Sequence, residues 1–286
     1  MSSRNRPGSS SFASGRLNQI YPTLAESQLE GLYLCQALRQ IASPGDVYVY
    51  TNFITSLDGR IAVAPTDDAQ PHIPESTANP RDWRLLLELA APADALIVSG
   101  RYIRQLGRGA AQAPPPFEGD MPADIVSYRT RSGLPAHPAL VIVSNSLDLP
   151  LDVLSRRGQR RIIVATSRDA DSKSAHRLAR HDVEIVEAGN TRVDGKQLVG
   201  ALKKRQLLLV YSLAGPAVMH TLLEAKVLRR LYLTTVLRVI SGEHYATMAK
   251  GKRLDIPYDF ELAALYLDEK GPDGVQQLLQ VFDLRD

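Results

Sequence analysis

Five short stretches of this 286-residue chain combine glycine, hydroxyl or charged side chains in the manner of ligand-holding turns. Ser99-Gly100-Arg101 joins a glycine, which lets backbone approach a ligand closely, to a guanidinium able to pair bidentately with a phosphate. Ser212-Leu213-Ala214-Gly215-Pro216 sets a proline at a helix N1 position, where the free N–H groups of the first turn face whatever lies in front. Ser144-Asn145-Ser146 and Thr166-Ser167-Arg168 supply hydroxyls and an amide suited to a ribose, with Arg168 suited to a 2′-phosphate. Thr55-Ser56-Leu57-Asp58-Gly59-Arg60 offers a hydroxyl and a carboxylate, with Asn52 just upstream. Each also has a plain structural reading. Gly100 and Gly215 fit as helix-entry glycines, Ser167 as an N-cap, Asp58-Gly59 as a tight turn and Asn52 as a solvent-facing strand residue.

What unites the turns is where they fall. Each comes directly after a β-rich run, at 47–54, 95–98, 139–143, 161–165 and 206–211, and further runs occupy 183–186 and 231–237. Several are apolar at consecutive positions, as strands buried on both faces are. Helical patterns lie between them. Asn79-Pro80 opens one with a cap and an N1 proline, Asp82 stands in its first turn, and Trp83, Leu86, Leu87 and Ala90 share a face. Others cover 171–181, 194–204 and 216–226. The alternation predicts a three-layer α/β/α fold around a mainly parallel sheet. Residues 258–267 and 275–284, around Lys270-Gly271-Pro272-Asp273-Gly274, predict a C-terminal antiparallel hairpin. In such sheets ligands gather at the C-terminal strand ends, where all five turns lie.

The N-terminal part reads differently. Residues 1–16, with six serines and two glycines, predict a disordered arm. Leu24, Leu34, Leu38 and Ile41 recur at broadly helical spacing before Ser43-Pro44-Gly45, which predicts an N-terminal helical extension over 17–44 with Cys35 as a small buried thiol. Residues 45–286 then form one domain. The stretch 107–122 carries three successive prolines and no periodicity, and reads as a lid or as a disordered segment.

Composition removes several function classes. The formal charge is +3, and Arg4, Arg6 and Arg16 account for it, leaving a balanced body and no basic face for nucleic acid. A lone cysteine excludes an internal disulfide framework or a Cys-rich zinc site. No apolar stretch reaches membrane-spanning length, and the basic start lacks the apolar run of a secretion signal, so a reduced, cytoplasmic protein is expected. The six histidines do not fall at ligand spacing beside carboxylates, and no metal site is expected. Gly107-Arg108-Gly109 lacks the third glycine and the preceding strand of a Rossmann fingerprint.

Residues 50–62 (YTNFITSLDGRIA) resemble the N-x-x-x-S-L-D-G-x-I-A opening strand of riboflavin-biosynthesis pyrimidine reductases, the RibD C-terminal domain family. Residues 82–100 look like that family's next helix and strand, and residues 207–242 are similar to the segment that its E-G-G-P motif opens. The resemblance spans about 45–286. It implies a dihydrofolate-reductase-like fold, NADPH as cofactor, a homodimer, and reduction of a ribosyl group to ribityl on a phosphoribosylamino-pyrimidine, as in a 5-amino-6-(5-phosphoribosylamino)uracil reductase. By resemblance Asp58 would be the catalytic polar group, and Asn52 and Ser56 would line the substrate side. Ser99, Gly100, Arg101, Ala214, Gly215 and Pro216 would hold the pyrophosphate, with Arg101 alternatively on a substrate phosphate. Ser144, Thr166 and Ser167 would meet the adenosine half, and Arg168 the 2′-phosphate. The family's G-x-G-T and E-G-G-P motifs are altered here to Ser99-Gly100-Arg101-Tyr102 and Ser212-Leu213-Ala214-Gly215-Pro216, the second losing the acid and one glycine. Three readings therefore stand: an NADPH-dependent reductase of such a pyrimidine, a non-catalytic nucleotide binder on the same fold, and a reductase of a dihydropterin-like substrate.

Overall fold

The structure, a computed structural model, describes residues 14–43, 45–64, 66, 70–109, 121–155 and 160–285. Its strands and helices run in chain order as β1 (Arg16–Tyr21), β2 (Ala25–Gln28), α1 (Leu38–Ile41), β3 (Tyr48–Ser56), β4 (Ala62–Val63), α2 (Pro80–Ala90), β5 (Ala95–Ser99), α3 (Gly100–Gly107) and α4 (Ala123–Arg131). Next come β6 (Ala139–Val143), α5 (Leu151–Ser155), β7 (Ile162–Thr166), α6 (Ser172–Ala179), β8 (Glu184–Glu187), α7 (Gly195–Lys203) and β9 (Leu209–Ser212). The chain ends with α8 (Pro216–Glu224), β10 (Leu228–Val236), β11 (Tyr245–Ala246), β12 (Phe260–Asp268) and β13 (Gln277–Leu284).

Eleven of these strands form one sheet in the order β2-β1-β12-β13-β10-β3-β9-β5-β6-β7-β8. Every neighbouring pair from β10 to β8 is parallel. β13 runs antiparallel to both β10 and β12, so the expected C-terminal hairpin extends the sheet beyond β10, and β1 and β2 continue it past β12. β4 and β11 pair separately. The apolar runs work as two-sided strands: Leu140, Ile142, Ile162 and Val164 enter one core, and Ala139, Val141, Ile163 and Ala165 enter the other. The first face is covered by Leu85 and Leu89 of α2, Ile103 of α3, Leu154 of α5 and Leu178 of α6. The second is covered by Leu198 and Leu202 of α7 and by Val218, Met219 and Leu222 of α8. The result is the expected three-layer α/β/α arrangement.

Side-chain caps fix several helix starts. Asn79 Oδ1 accepts from the N–H groups of Arg81 and Asp82, with Pro80 at N1, and Asp171 and Asp194 cap α6 and α7. Ser167 is therefore not the cap of the next helix. On α2, Leu85, Leu87, Leu89 and Ala90 are buried, whereas Trp83 and Leu86 are only half-buried.

The N-terminal helix is not formed. β1 pairs antiparallel with both β2 and β12, so residues from Arg16 onward belong to the main sheet. The chain then makes a short 3-10 turn at Leu34–Gln36 and the four-residue α1. The competing force is the fully buried Glu88 of α2. Its carboxylate accepts from the backbone N–H groups of Gly31 and Tyr33, which therefore serve a tertiary contact instead of a helix. Cys35 is exposed on that turn, not a buried thiol. Of the expected arm, residues 1–13 lie outside the described residues. Ser14 and Gly15 meet the body, their carbonyls accepting from Arg81 and Leu29. Most of the 107–122 stretch also lies outside the described residues. Just beyond it stands α4, a helix that the apolar periodicity does not mark.

Candidate functional site

α3 and α8 begin at the C-terminal ends of the adjacent strands β5 and β9 and leave on opposite faces of the sheet. This divergence opens a crevice over the strand ends, the place where open α/β sheets take ligands. Both helices offer first-turn N–H groups to it. Ser99 caps α3 by accepting from the Tyr102 N–H at 3.2 Å, and Arg101 projects beside that start, donating to Gln70 Oε1 at 2.5 Å. Gly215 caps α8, with Pro216 at N1 and Ala214 buried behind it.

The two crevice glycines serve different ends. A methyl at Gly100 would stand 2.6 Å from Ser144 Oγ and 2.8 Å from Ser144 Cβ. Gly100 is thus a packing glycine that lets the β6 turn close on the start of α3. Around Gly215, which is exposed, an added methyl would meet nothing within 4 Å among the described residues, so packing does not close the start of α8 there.

Further along the same edge, Ser144, Thr166 and Ser167 are all buried. Thr166 Oγ1 at the end of β7 and Ser212 Oγ at the end of β9 have no hydrogen-bond partner among the described residues. Buried hydroxyls left this way usually await a ligand or water. Arg168 is exposed, its guanidinium only 3.8 Å from Glu187. Two helix starts, an arginine and orphaned hydroxyls along one edge fit a dinucleotide: the amides and Arg101 suit its pyrophosphate, the hydroxyls its sugar.

β3 extends well beyond β9 and carries the expected substrate side. Asn52 is half-buried, and its Oδ1 accepts from the Tyr211 hydroxyl at 2.5 Å. Ser56 is buried and donates to Asp58 Oδ1 at 2.5 Å. Asp58 Oδ2 takes Arg60 Nη1 at 2.5 Å, and the backbone N–H groups of Ile240 and Ser241 donate at 3.3 and 2.9 Å. The Ser56 hydroxyl above all, with these N–H groups and the Arg60 charge, holds the carboxyl down to about 2. Arg60 in turn lies 4.4 Å from the centroid of the Tyr245 ring. The Asp58 carboxylate is therefore committed to internal donors that join the turn after β3 to the segment after β10.

A residue that no motif marks sits on the same face. Among the described residues three acids are buried: Glu88, Asp268 and Asp82. Glu88 pairs with Arg84 at 2.9 Å and Asp268 with Arg81 at 2.6 Å. Asp82 has no cationic partner. Its Oδ1 accepts from Thr234 Oγ1 of β10 at 2.7 Å, and its other oxygen accepts no hydrogen bond among the described residues. Burial pushes its carboxyl up to about 6, the Thr234 hydrogen bond opposing this only in part. Thr234 lies in register with Ile54, which stands between Asn52 and Ser56 on one face of β3. The Tyr33 hydroxyl, buried with no hydrogen-bond partner among the described residues, feels the Asp82 charge, as does Tyr211. An acid in the first turn of a helix is so ordinary that no sequence signal marks it.

Among the described residues no group of three or more His, Cys, Asp or Glu side chains could hold a metal, and no helix is long and apolar enough to cross a membrane.

Comparison with known proteins gives one curated relative at 23% identity over 205 residues, 72% of this chain and 87% of the other: the 2,5-diamino-6-ribosylamino-4(3H)-pyrimidinone 5′-phosphate reductase of Archaeoglobus fulgidus. Among solved structures, a pyrimidine reductase-like protein from Corynebacterium diphtheriae is similar with a TM-score of 0.65 and 20% identity, over 84% of this chain and 93% of that one. The riboflavin biosynthesis reductase of Saccharomyces cerevisiae is similar with a TM-score of 0.55 and 15% identity, over 89% and 99%. At these identities the structural likeness speaks for the fold. Residues 47–256, which carry the whole parallel sheet and both crevice helices, match the RibD C-terminal domain, and the chain belongs to that family.

Proposed function

We propose that this protein is an NADPH-dependent reductase that converts the ribosyl group of a phosphoribosylamino-pyrimidine to ribityl. The observation that carries this reading is the crevice between β5 and β9, where α3 and α8 diverge beside a polar face of β3. When bound, the reduced nicotinamide supplies a hydride. The first-turn N–H groups of α3 and α8, with Arg101, take the pyrophosphate between them. Ser144, Thr166 and Ser167 receive the adenosine half, and the loosely paired Arg168 takes the 2′-phosphate. Asn52 and Ser56 line the substrate side, each held by a hydrogen-bonded neighbour, Tyr211 and Asp58.

In this reading Asp58 acts as a positioning residue. Its charge is balanced in place by Arg60 and shared with two backbone donors, so it fixes the geometry of Ser56 and the 240–241 segment. The homodimer and cytoplasmic location expected from sequence belong to the same proposal.

The test monitors NADPH oxidation with 2,5-diamino-6-ribosylamino-4(3H)-pyrimidinone 5′-phosphate or its uracil counterpart, beside a fluorescence titration with NADPH. Turnover of either substrate is the expected result. Binding of NADPH without turnover of either points to the non-catalytic reading or to a dihydropterin-like substrate. No binding of NADPH overturns the proposal.

A further inference from the structure

Asn52 is the first residue of β3 to pass the end of β9, because Thr51 lies in register with Ser212, the last residue of that strand. It therefore stands at the border between the crevice and the polar face of β3. Its side chain is half-buried and takes part in one hydrogen bond among the described residues, from the Tyr211 hydroxyl at 2.5 Å. That length belongs to an O–H···O contact, since N–H···O bonds begin at about 2.7 Å. Oδ1 thus faces Tyr211, and Nδ2 is turned away from it. Nδ2 donates to nothing among the described residues, which leaves both of its N–H groups uncommitted.

Tyr211 is itself held firmly. Its ring is fully buried and lies flat on Tyr50, with centroids 5.0 Å apart and planes 7° from parallel. Tyr50 faces it in register from β3, and its own hydroxyl donates to the Leu89 carbonyl of α2 at 2.6 Å. Tyr232 of β10 meets Tyr50 edge-on, and its hydroxyl donates to Gln36 at 2.8 Å. Burial raises the Tyr211 hydroxyl well above the ordinary tyrosine value, so it keeps the proton that it donates.

The geometry points to Tyr211 as a positioning residue: its hydroxyl sets the Asn52 amide so that Nδ2 donates to a carbonyl oxygen where cofactor and substrate meet. This rests on the reductase reading and deepens it. Two oxygens of that chemistry come together in the proposed reaction, the carboxamide oxygen of the nicotinamide and the C4 carbonyl of the pyrimidinone. A fixed donor on either one holds its ring plane, which aligns the reacting carbons for hydride transfer. With the amide turned over, Oδ1 would face that carbonyl, acceptor against acceptor.

The experiment measures kcat and KM with 2,5-diamino-6-ribosylamino-4(3H)-pyrimidinone 5′-phosphate and NADPH for Tyr211→Phe, Asn52→Ala and the double variant. Tyr211→Phe keeps the ring stack and removes only the hydroxyl, and kcat should fall about tenfold or more. Asn52→Ala should lose at least as much. The double variant should lose no more than Asn52→Ala, because Tyr211 acts through the amide. A second arm needs no turnover: heteronuclear NMR reads the Asn52 side-chain amide pair, assigned by its absence in Asn52→Ala. The ligand-free pair should shift between wild type and Tyr211→Phe. If the nicotinamide supplies the oxygen, NADPH should shift the pair and 2′-phospho-ADP-ribose, which lacks that ring, should not. If the pyrimidinone supplies it, the substrate alone should shift the pair.

Wild-type kcat in folded Tyr211→Phe would overturn the assignment, as would losses that multiply in the double variant. An amide pair unmoved by Tyr211→Phe, or unmoved by both NADPH and substrate, would overturn it whatever the turnover. A pair that answers to Tyr211→Phe and to a ligand, in a protein that turns over neither substrate, would sink the reductase reading and leave Tyr211 in its role. If Tyr211→Phe does not fold, the response of the wild-type pair to the two ligands decides the matter alone.

Discussion

Asp58 and Ser241, 183 residues apart in the chain, are joined by a 2.9 Å hydrogen bond from the Ser241 N–H to the Asp58 carboxylate. With Ser56, Arg60 and Ile240 on the same carboxylate, this tie fixes the two segments that flank the substrate side. Asp58→Ala should therefore lower kcat and raise the substrate KM together, and cost about 1–3 kcal/mol of stability. Asp58→Asn, which keeps one acceptor, should fall between. The sign of the pH effect is that of a carboxyl held low. Its stabilisation is complete above the ordinary value of 3.8 and is lost as pH falls through about 2. Denaturation of wild type and Asp58→Ala across pH checks this. A difference that stays constant into strong acid would remove the ionic tie.

Asp82 has the opposite sign. Burial raises its carboxyl from 3.8 to about 6, so the folded state holds this proton more tightly than the unfolded chain does. Stability is greatest below 3.8 and falls as pH rises through about 6. The groups facing it from the 29–36 segment and β9, Tyr33 and Tyr211, have pKa values raised well above 10 and stay neutral throughout. A shift of this size corresponds to about 3 kcal/mol at most. Ligand-free Asp82→Asn should match the wild type near pH 4 and exceed it in stability near pH 8, by up to that amount. Thermal melting across that range decides it. A wild type that is the more stable form at alkaline pH would show a partnered carboxylate instead.

The sheet was readable because strands buried on both faces leave unbroken apolar runs, as in β5, β6 and β7, and because Asn79-Pro80 announces a helix start. The N-terminal segment was not. Leu24, Leu34, Leu38 and Ile41 imitate a helical stripe, yet Leu24 is 84% exposed and Ile41 is exposed too, while Leu29, Leu32 and Tyr33 are buried. Glu88, from a distant helix, decides that outcome. At the site, the strand-end turns could be found because each comes directly after an apolar run. Asp82 could not, since its burial depends on Thr234, 152 residues along the chain. Asp58 was found, but its partners Ile240 and Ser241 act through backbone N–H groups, which leave no trace in residue type.

Glu88 offers a direct measure of that N-terminal correction. It is fully buried and receives Gly31 N–H at 2.6 Å, Tyr33 N–H at 3.0 Å and Arg84 Nε at 2.9 Å. Glu88→Ala orphans two backbone donors and leaves the buried Arg84 with Asp124 alone. The expected loss is about 3–5 kcal/mol, with earlier hydrogen exchange in residues 29–36 than in the parallel strands. Glu88→Gln should cost less, because its amide oxygen still accepts. Denaturant unfolding gives the first quantity, and exchange mass spectrometry gives the second. Uniform exchange across the chain would mean that Glu88 does not anchor this segment specifically.

Gly100 and Gly215 stand at the starts of the two crevice helices, and the structure assigns them different reasons for being glycine. At Gly100 an added methyl collides with both side-chain atoms of Ser144, so Gly100→Ala should cost about 1–3 kcal/mol through overpacking. Ser144→Gly in the same chain removes those atoms and should restore most of the loss. Gly215 has a φ of −73° and open space around it, so Gly215→Ala should fold with stability within about 0.5 kcal/mol of wild type. The open space is where a pyrophosphate would approach the α8 N–H groups, and a methyl there should weaken NADPH binding about tenfold or more. Melting curves and NADPH fluorescence titrations on the three variants separate the two reasons. Normal NADPH affinity in Gly215→Ala would take the pyrophosphate away from α8 and leave α3 with Arg101 as its holder. A lasting stability defect in the Gly100→Ala, Ser144→Gly pair would mean that something other than the β6 turn presses on the start of α3.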